Sequence, residues 1–500
     1  MNLLIRADAN AQIGTGHVMR CLALAQAWQD ADGLAIFVMA MEASALKARL
    51  RSEGMEIVHP SAQPGSADDA IQTANLAQQR GAPWIVIDGY HFGAGYQRMI
   101  KDAGLRLLAI DDNGHAEHYY ADLVLNQNLH AHQGLYINRE PSTQLLLSSR
   151  YVLLRREFLK WRGWKREIPK VAHKVLVTLG GSDPDNVTLK VIQSLQQVKV
   201  DDLEVVVVVG ASNPHYEELQ SAVRDSHLAI HLESNVTNMP ELMAWADVAV
   251  SAGGSTSWEL AFMGLPNLVL ILADNQRPIA ERLDTMGGAV NLGWHASLPS
   301  AKIARAVTQL LVTAKQREEM ARRGRELVDG KGATRVLTHI KDQTLKLRQV
   351  CEDDCGLLWE WANDPDVRAV SFSSEPIPWE HHVQWFESKL DDPNCVFYVA
   401  VDSEGVPIGQ VRYDINGNEA VISTSIAQEL RGKGYGSAAI RLASYKLFGT
   451  STVRVINAYV KQDNNASARA FVRAGFKDLG TTTVHGHQAI HLALRRDELV

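Results

Sequence analysis

Short, strongly apolar runs alternate with longer amphipathic stretches over the first two thirds of the chain, and nothing else in the sequence restricts the fold as much. Residues 3–6, 35–39, 84–87, 107–110 and 123–125 read as buried strands. Residues 21–28, 43–53 and 70–80 read as the helices between them. A strand that is apolar on both faces needs helices on both sides of its sheet. The rhythm therefore predicts a doubly wound α/β sheet with parallel strands. It pauses over residues 151–173, which are aromatic and basic, and restarts at 174–179, 203–209, 246–251 and 267–272. Two such lobes facing each other form a cleft suited to a nucleotide and the group it carries.

The last third has a different character. A polar helical stretch is expected over 300–328, then Asp329-Gly330-Lys331-Gly332, then a helix to about residue 348. Tryptophans at 359, 361, 379 and 385 follow, with antiparallel-looking strands at 395–401, 408–413 and 420–427. This predicts a separate α+β domain. The expected boundaries are 1–160 and 161–340 for the two lobes, 341–350 for a linker and 351–500 for the last domain. A length of 500 residues agrees, since single cores stop growing well before that size.

Hydrophobic content of 46% and charged content of 21% place the chain among globular proteins. A net charge of −7 disfavours binding to nucleic acid through a basic surface. Cys21, Cys351, Cys355 and Cys395 lack zinc-site spacing and fit a reducing compartment. Arg6 and Asp8 interrupt the segment that a secretory signal would need apolar, and runs such as 205–209 are far too short to span a bilayer. The expectation is a cytoplasmic protein with no membrane insertion and no metal.

Two groups of polar residues carry chemistry in the lobes. In the first, Gln12-Ile13-Gly14-Thr15-Gly16-His17 links a strand to a helix. Glycines such as Gly14 and Gly16 let the backbone approach a ligand closely. A helix start favours anions and disfavours an imidazolium, so His17 is placed to accept a proton as a general base. Arg6 and Asp8, Asp88 with Tyr90 and His91, and Asp111 with Asp112 fall at the carboxyl ends of strands, where α/β sites form.

In the second lobe, Thr178-Leu179-Gly180-Gly181-Ser182-Asp183 and Ser251-Ala252-Gly253-Gly254-Ser255-Thr256 both follow strands. Ser255 and Thr256 at a helix start can hold a phosphate, or one of them can simply cap the helix. Glu259 lies one turn further and can accept ribose hydroxyls. Asn275 and Gln276 follow the next strand.

Residues 5–24 (IRADANAQIGTGHVMRCLAL), 178–186 (TLGGSDPDN) and 251–266 (SAGGSTSWELAFMGLP) together resemble the UDP-sugar hydrolases of pseudaminic acid biosynthesis, often called PseG. These enzymes are related to GT-B glycosyltransferases that form lipid II. The resemblance spans about residues 1–340. It implies a GT-B-like pair of Rossmann-like lobes that hydrolyses UDP-2,4-diacetamido-2,4,6-trideoxy-β-L-altropyranose to UDP and free sugar. It makes His17 the base that activates water at the anomeric carbon. The family's uridine and phosphate contacts fall on Ser255, Thr256, Glu259, Asn275 and Gln276, and no metal is implied; Arg6, Asp8, Gly14, Gly16, Asp88, Tyr90 and Gly181, from the loops and strand ends, complete the substrate-binding candidates.

In the last domain, strand 420–427 runs into Arg431-Gly432-Lys433-Gly434-Tyr435-Gly436, which opens a helix. A row of backbone N–H groups at a helix start, helped by cations, suits a pyrophosphate. The segment Asn464-x-x-Ser467-x-x-x-Phe471-x-x-x-Gly475-Phe476 follows at a suitable distance. Together these resemble GNAT acetyltransferases, so acetyl-CoA is the implied co-substrate. Ile426, Arg431, Gly432, Lys433, Gly434, Tyr435, Gly436, Asn464 and Phe471 are the cofactor-binding candidates.

Phe471 stands where that family usually has an acidic tyrosine; Tyr435, Tyr459 or water is left for the role. Glu375, His381, His382 and Glu419 are candidates for the base. The tryptophan-rich segment resembles GNATs that acetylate amino sugars on nucleotides, which makes Asn363 and Arg368 substrate-binding candidates. The combined expectation is N-acetylation of the 4-amino group of a UDP-amino-sugar, followed by hydrolysis at C1. A GT-B glycosyltransferase, a GNAT domain acting on another amine, and a sugar-nucleotide sensor without activity stay open as alternatives.

Overall fold

A computed structural model describes the chain apart from residues 1, 10–13, 41–43, 182, 211–212, 235, 403–404, 433 and 499–500. The chain divides into two compact units, Met1–Val336 and Leu337–Val500. The first unit holds two parallel sheets. In its first lobe, β1 (Asn2–Ala7), β2 (Leu34–Val38), β3 (Glu56–Val58), β4 (Trp84–Asp88), β5 (Arg106–Ile110), β6 (Leu123–Asn126) and β7 (Gln144–Leu147) take the order β3-β2-β1-β4-β5-β6-β7. All neighbours run parallel. Leu3, Leu4 and Ile5 are consecutive and fully buried, as a strand covered on both faces requires. The chain winds outward from β1 to β3 and then returns to β4 on the other side of β1. That reversal opens a crevice at the carboxyl ends of β1 and β4.

The second lobe repeats the plan. Strands β8 (Lys174–Thr178), β9 (Glu204–Val209), β10 (Ala229–Ser234), β11 (Val248–Ala252), β12 (Asn267–Ile271) and β13 (Val290–Trp294) lie in the order β10-β9-β8-β11-β12-β13, all parallel. Its crevice lies between β8 and β11. Apolar residues from 152 to 158 already belong to this lobe: Val152, Leu154 and Phe158 pack with Leu176, Met243 and Trp258. The lobe's packing thus begins before the expected boundary at residue 160.

The helical stretch expected over 300–328 is two helices, Ser300–Val312 and Ala314–Leu327. The buried Arg317 guanidinium donates to the carbonyls of Leu310 and Leu311, which a continuous helix would pair with its own N–H groups.

In the second unit, β14 (Lys346–Gln349), β15 (Cys395–Val401), β16 (Pro407–Asn416), β17 (Glu419–Ile426), β18 (Val455–Lys461), β19 (Lys477–Val484) and β20 (His487–Arg495) form a sheet ordered β14-β15-β16-β17-β18-β20-β19. Residues 341–350, expected as a linker, contain an edge strand of this sheet, because β14 pairs antiparallel with β15. The preceding helix, Gly332–Thr344, ends before it rather than near residue 348.

Only β17 and β18 run parallel, and only Glu419↔Val455, Ala420↔Ile456 and Val421↔Asn457 pair. Beyond Val421 the strands part and leave a wedge lined by backbone. Helices Tyr435–Thr450 and Asn465–Arg473 cover one face through Ala438, Ala443, Leu447 and Phe471. Helices Cys355–Asn363 and Trp379–Leu390 cover the β15 end of the other face through Trp361 and Phe386.

Candidate active sites

The helix Gly16–Gln29 starts just past β1, and Asp88 is the last residue of β4, so the first crevice brings them together. His17 and Arg20 are three residues apart on one face of the helix. His17 Nδ1 lies 2.6 Å from Asp88 Oδ1. Arg20 clamps the same carboxylate with Nε and Nη2, both at 2.6 Å, and reaches Asp112 with Nη1 at 2.8 Å. Burial alone would push the Asp88 carboxyl up, but Arg20 and His17 hold it far below the usual carboxylate range.

An ionised carboxylate can only accept, so Nδ1 donates to Asp88 and Nε2 keeps its lone pair. Arg20 Nη2, at 3.2 Å from Nδ1, is the weaker contact. The result is an oriented imidazole with a basic outer nitrogen. Tyr90 packs edge-on against His17, with 5.4 Å between ring centres.

Arg6 and Asp8 do not reach this crevice as ligands. Arg6 is fully buried and bonds Asp69 through Nε and Nη2, and Asp8 through Nη1 at 2.6 Å. Asp8 also accepts the Ala40 N–H at 2.8 Å. A buried charge needs partners, so the Arg6 guanidinium is shared between the Asp8 and Asp69 carboxylates beneath the site. Asp111 likewise serves its own turn, accepting from the N–H groups of Asn113 and Gly114 and from the Tyr119 hydroxyl.

The loops of the two lobes meet across the cleft. A side chain built on Gly16 would contact Ser255 Oγ at 3.6 Å, and one on Gly181 would contact Thr15 Oγ1 at 3.4 Å. Gly14 has φ +71°, a conformation that favours glycine. Asn275 Nδ2 donates to the Tyr90 hydroxyl at 3.4 Å, linking the lobes a second time. Ser255 makes no side-chain cap to the helix Thr256–Phe262, and its hydroxyl is exposed to the cleft.

Glu259 is pushed up by burial, while Arg155 opposes this through Nη2 at 2.8 Å from Oε1. Its second oxygen has no donor among the described residues. Gln276 spends Oε1 on the Leu272 N–H at 3.0 Å. Asp112, expected at this strand end, is brought into the site by Arg20, whereas Arg20 itself and Arg155 were not expected. Arg20 carried one signal, a charge one turn after His17 within an otherwise apolar helix. Arg155 lies 104 residues from Glu259 and carried none.

In the second unit, Gly432 and Gly434 have φ +78° and +86°, and Gly434 precedes the helix Tyr435–Thr450 without any side-chain cap. The N–H groups of Gly432, Gly434 and Gly436 have no acceptor among the described residues, and a side chain on Gly436 would contact Ile426 at 3.5 Å. These features fit the diphosphate and arm of acetyl-CoA. Lys433 lies outside the described residues. Arg431 is tied back, with Nε on the Ile426 carbonyl at 3.0 Å and Nη1 on Asp364 at 2.9 Å. Tyr435 packs against Lys341, whose Nζ is 5.6 Å from the ring centre.

Several expected residues hold structure instead. Phe471 is buried against Phe476 in the core, so it meets no cofactor surface. Asn464 caps its helix by accepting the Ser467 N–H. Asn363 staples Ile377 through both amide atoms, and Arg368 donates to the carbonyls of Ser373 and Glu375. His382 is sealed in an aromatic cluster with Nε2 on the Cys355 carbonyl, and burial lowers its pKa. Glu375, His381 and Glu419 are exposed.

Residues 175–334 match the family model of the glycosyltransferase family 28 C-terminal domain, and residues 344–477 match that of the acetyltransferase (GNAT) domain. An uncharacterised protein of Methanocaldococcus jannaschii is 23% identical over 95% of this chain and 97% of its own. The spore coat polysaccharide biosynthesis protein SpsG of Bacillus subtilis is 25% identical over 68% of this chain and 98% of its own. The UDP-2,4-diacetamido-2,4,6-trideoxy-β-L-altropyranose hydrolase of Campylobacter jejuni is 25% identical over 57% of this chain and 97% of its own. The chain thus carries a segment that matches the glycosyltransferase family 28 C-terminal domain, within a unit similar to a UDP-sugar hydrolase, followed by a segment that matches the acetyltransferase (GNAT) domain.

Proposed function

We propose that the first unit hydrolyses a UDP-linked acetamido sugar to UDP and free sugar, and that the second acetylates an amino group of its precursor with acetyl-CoA. The observation that carries the first half is the His17–Asp88 pair at the crevice, 2.6 Å apart and locked by Arg20. Nε2 of His17 takes a proton from water, the water oxygen attacks C1, and the C1–O bond to UDP breaks. The leaving diphosphate is met by the loops at Gly181 and Ser255, whose backbone and hydroxyl groups face the same cleft. Glu259 Oε2, which has no donor among the described residues, is left to bind the nucleoside, and Asn275 can join it by giving up its long 3.4 Å contact with the Tyr90 hydroxyl.

The substrate class is the one named for the Campylobacter jejuni relative. That sugar carries an N-acetyl group at C4, which acetyl transfer to a 4-amino precursor supplies. One fused chain then performs consecutive steps.

A coupled assay tests both halves. Purified protein is given UDP-4-amino-4,6-dideoxy-AltNAc with and without acetyl-CoA, and CoA thiol and UDP are followed. The expected result is release of both products, dependent on acetyl-CoA. A His17→Ala variant should lower UDP release by about 10²–10⁴-fold and leave thiol release intact. The match to glycosyltransferase family 28 favours one other reading, transfer to an acceptor. Under it, UDP would appear only when an acceptor hydroxyl compound is added.

A further inference from the structure

The acetyl-transfer half requires a base for the amine; of the candidates named from the sequence, Glu419 and Tyr459 lie together in one cluster with two residues the sequence did not single out, Asn457 and His491. On β17, β18 and β20, residues Ala420, Ile422, Ile456, Ala458, Leu492 and Leu494 face the helical core. Strand alternation therefore turns Glu419, Asn457, Tyr459 and His491 to the opposite face. These four touch one another. Asn457 Nδ2 donates to Glu419 Oε2 at 2.9 Å, His491 Nε2 lies 2.9 Å from Asn457 Oδ1, and Tyr459 stacks on the His491 ring with centroids 4.9 Å apart.

The cluster sits at the inner end of the wedge. Asn457 belongs to the last pair that joins β17 to β18, and Tyr459, two residues beyond, is directly opposite His491 in the β18–β20 register. A thioester arm lying in the wedge ends beside them.

The hydrogen bonds fix the histidine's protonation pattern. A carboxylate only accepts, so the Asn457 amide must turn Nδ2 toward Glu419 and its carbonyl oxygen toward His491. His491 Nε2 must then donate, and Nδ1 is left with a lone pair. Nδ1 has no hydrogen-bond partner among the described residues, and the His491 side chain is only partly buried. The arrangement has the logic of an oriented base: a carboxylate, an intermediary that sets the tautomer, and a basic nitrogen left without a partner among the described residues.

Building on the acetyltransferase reading, we infer that His491 is the catalytic base of the second unit, with Asn457 and Glu419 as positioning residues. The ammonium of the amino sugar gives one proton to His491 Nδ1. The freed nitrogen lone pair attacks the thioester carbonyl carbon, and the carbon–sulfur bond breaks. The second nitrogen proton passes through water to the departing thiolate, which leaves as CoA thiol. His491 then returns its proton to solvent.

The test uses the full chain, acetyl-CoA and UDP-4-amino-4,6-dideoxy-AltNAc, with thiol release as readout. His491→Gln keeps a donor toward Asn457 but has no basic nitrogen; its kcat should fall about 10²–10⁴-fold. Its KM for acetyl-CoA and its release of UDP from the already diacetylated substrate should stay within about threefold, which separates lost chemistry from lost folding. Asn457→Ala should lower kcat by a smaller factor, again without weakening acetyl-CoA binding measured by calorimetry. An active wild type with a His491→Gln variant within threefold of its kcat overturns the assignment of His491 alone. A wild type that releases no thiol with this amine overturns the acetyltransferase reading, and the base falls with it.

Discussion

Asp88 lies beneath both a histidine and an arginine, and this double use makes it the most sensitive single side chain in the first unit. Its substitution by asparagine places an amide opposite Nδ1. That amide can donate as well as accept, so the imidazole loses its enforced tautomer. Asp88→Asn should lower the rate of UDP release by roughly 10⁴-fold, the scale seen when an orienting carboxylate is neutralised in a comparable pair. Arg20→Met leaves Asp88 as a buried charge without its main partner, and should cost about 3–5 kcal/mol in urea unfolding of this unit. Acid titration offers a third check. The Asp88 pKa is depressed in the fold, so its contribution is fully present above the ordinary carboxylate value of about 3.9 and fades as pH falls below it. Unfolding free energy should therefore decline below about pH 4, and less steeply in the Arg20→Met variant, where the depression is largely removed.

At the scale of elements, the site depends on how closely the loops approach. Gly210, just past β9, faces the backbone of Gly181, and an added methyl group would drive into that carbonyl. Gly210→Ala should displace the Gly181 loop, cost about 1–3 kcal/mol and raise the KM for the UDP-sugar while the acetyl-transfer rate is unchanged. Phe471 gives the opposite kind of prediction. Restoring a tyrosine there would bury a hydroxyl among Phe476 and its neighbours. Phe471→Tyr should lose about 1–3 kcal/mol and gain no thiol-release rate, as read by thermal unfolding and the thiol assay. The doubly wound lobes were legible because strands such as Trp84–Asp88 are apolar throughout and end at glycines or carboxylates. Edge strands were not: Ala229–Ser234 has a single buried residue, Ile230, and Glu56–Val58 has three residues. The site was legible as far as sequence neighbours reach, through His17 and the glycine loops. Its wiring was not, because Arg6 finds Asp69 across 63 residues and Arg155 finds Glu259 across 104. Asp8 and Asp88 both lie at the ends of neighbouring parallel strands, yet the folded chain brings Arg6 to one and His17 with Arg20 to the other.

At the scale of the whole molecule, two compact units with separate ligands should respond to them separately. Acetyl-CoA at about 100 times its Kd should stabilise the unit Leu337–Val500 by about 2.7 kcal/mol and leave Met1–Val336 unmoved, with UDP doing the reverse; calorimetry of the full chain, resolved into two transitions, reads both. The three residue pairs that join β17 to β18 have a further meaning for the second unit. Its sheet is two half-sheets held by a short seam, and the amides of residues 422–426 that point away from β16 have no partner strand among the described residues. An arm of acetyl-CoA bonded to them would act as a transient extra strand. In deuterated buffer those amides should exchange quickly in the free protein and slowly once the arm is seated, so this fold is completed only for as long as each turnover lasts.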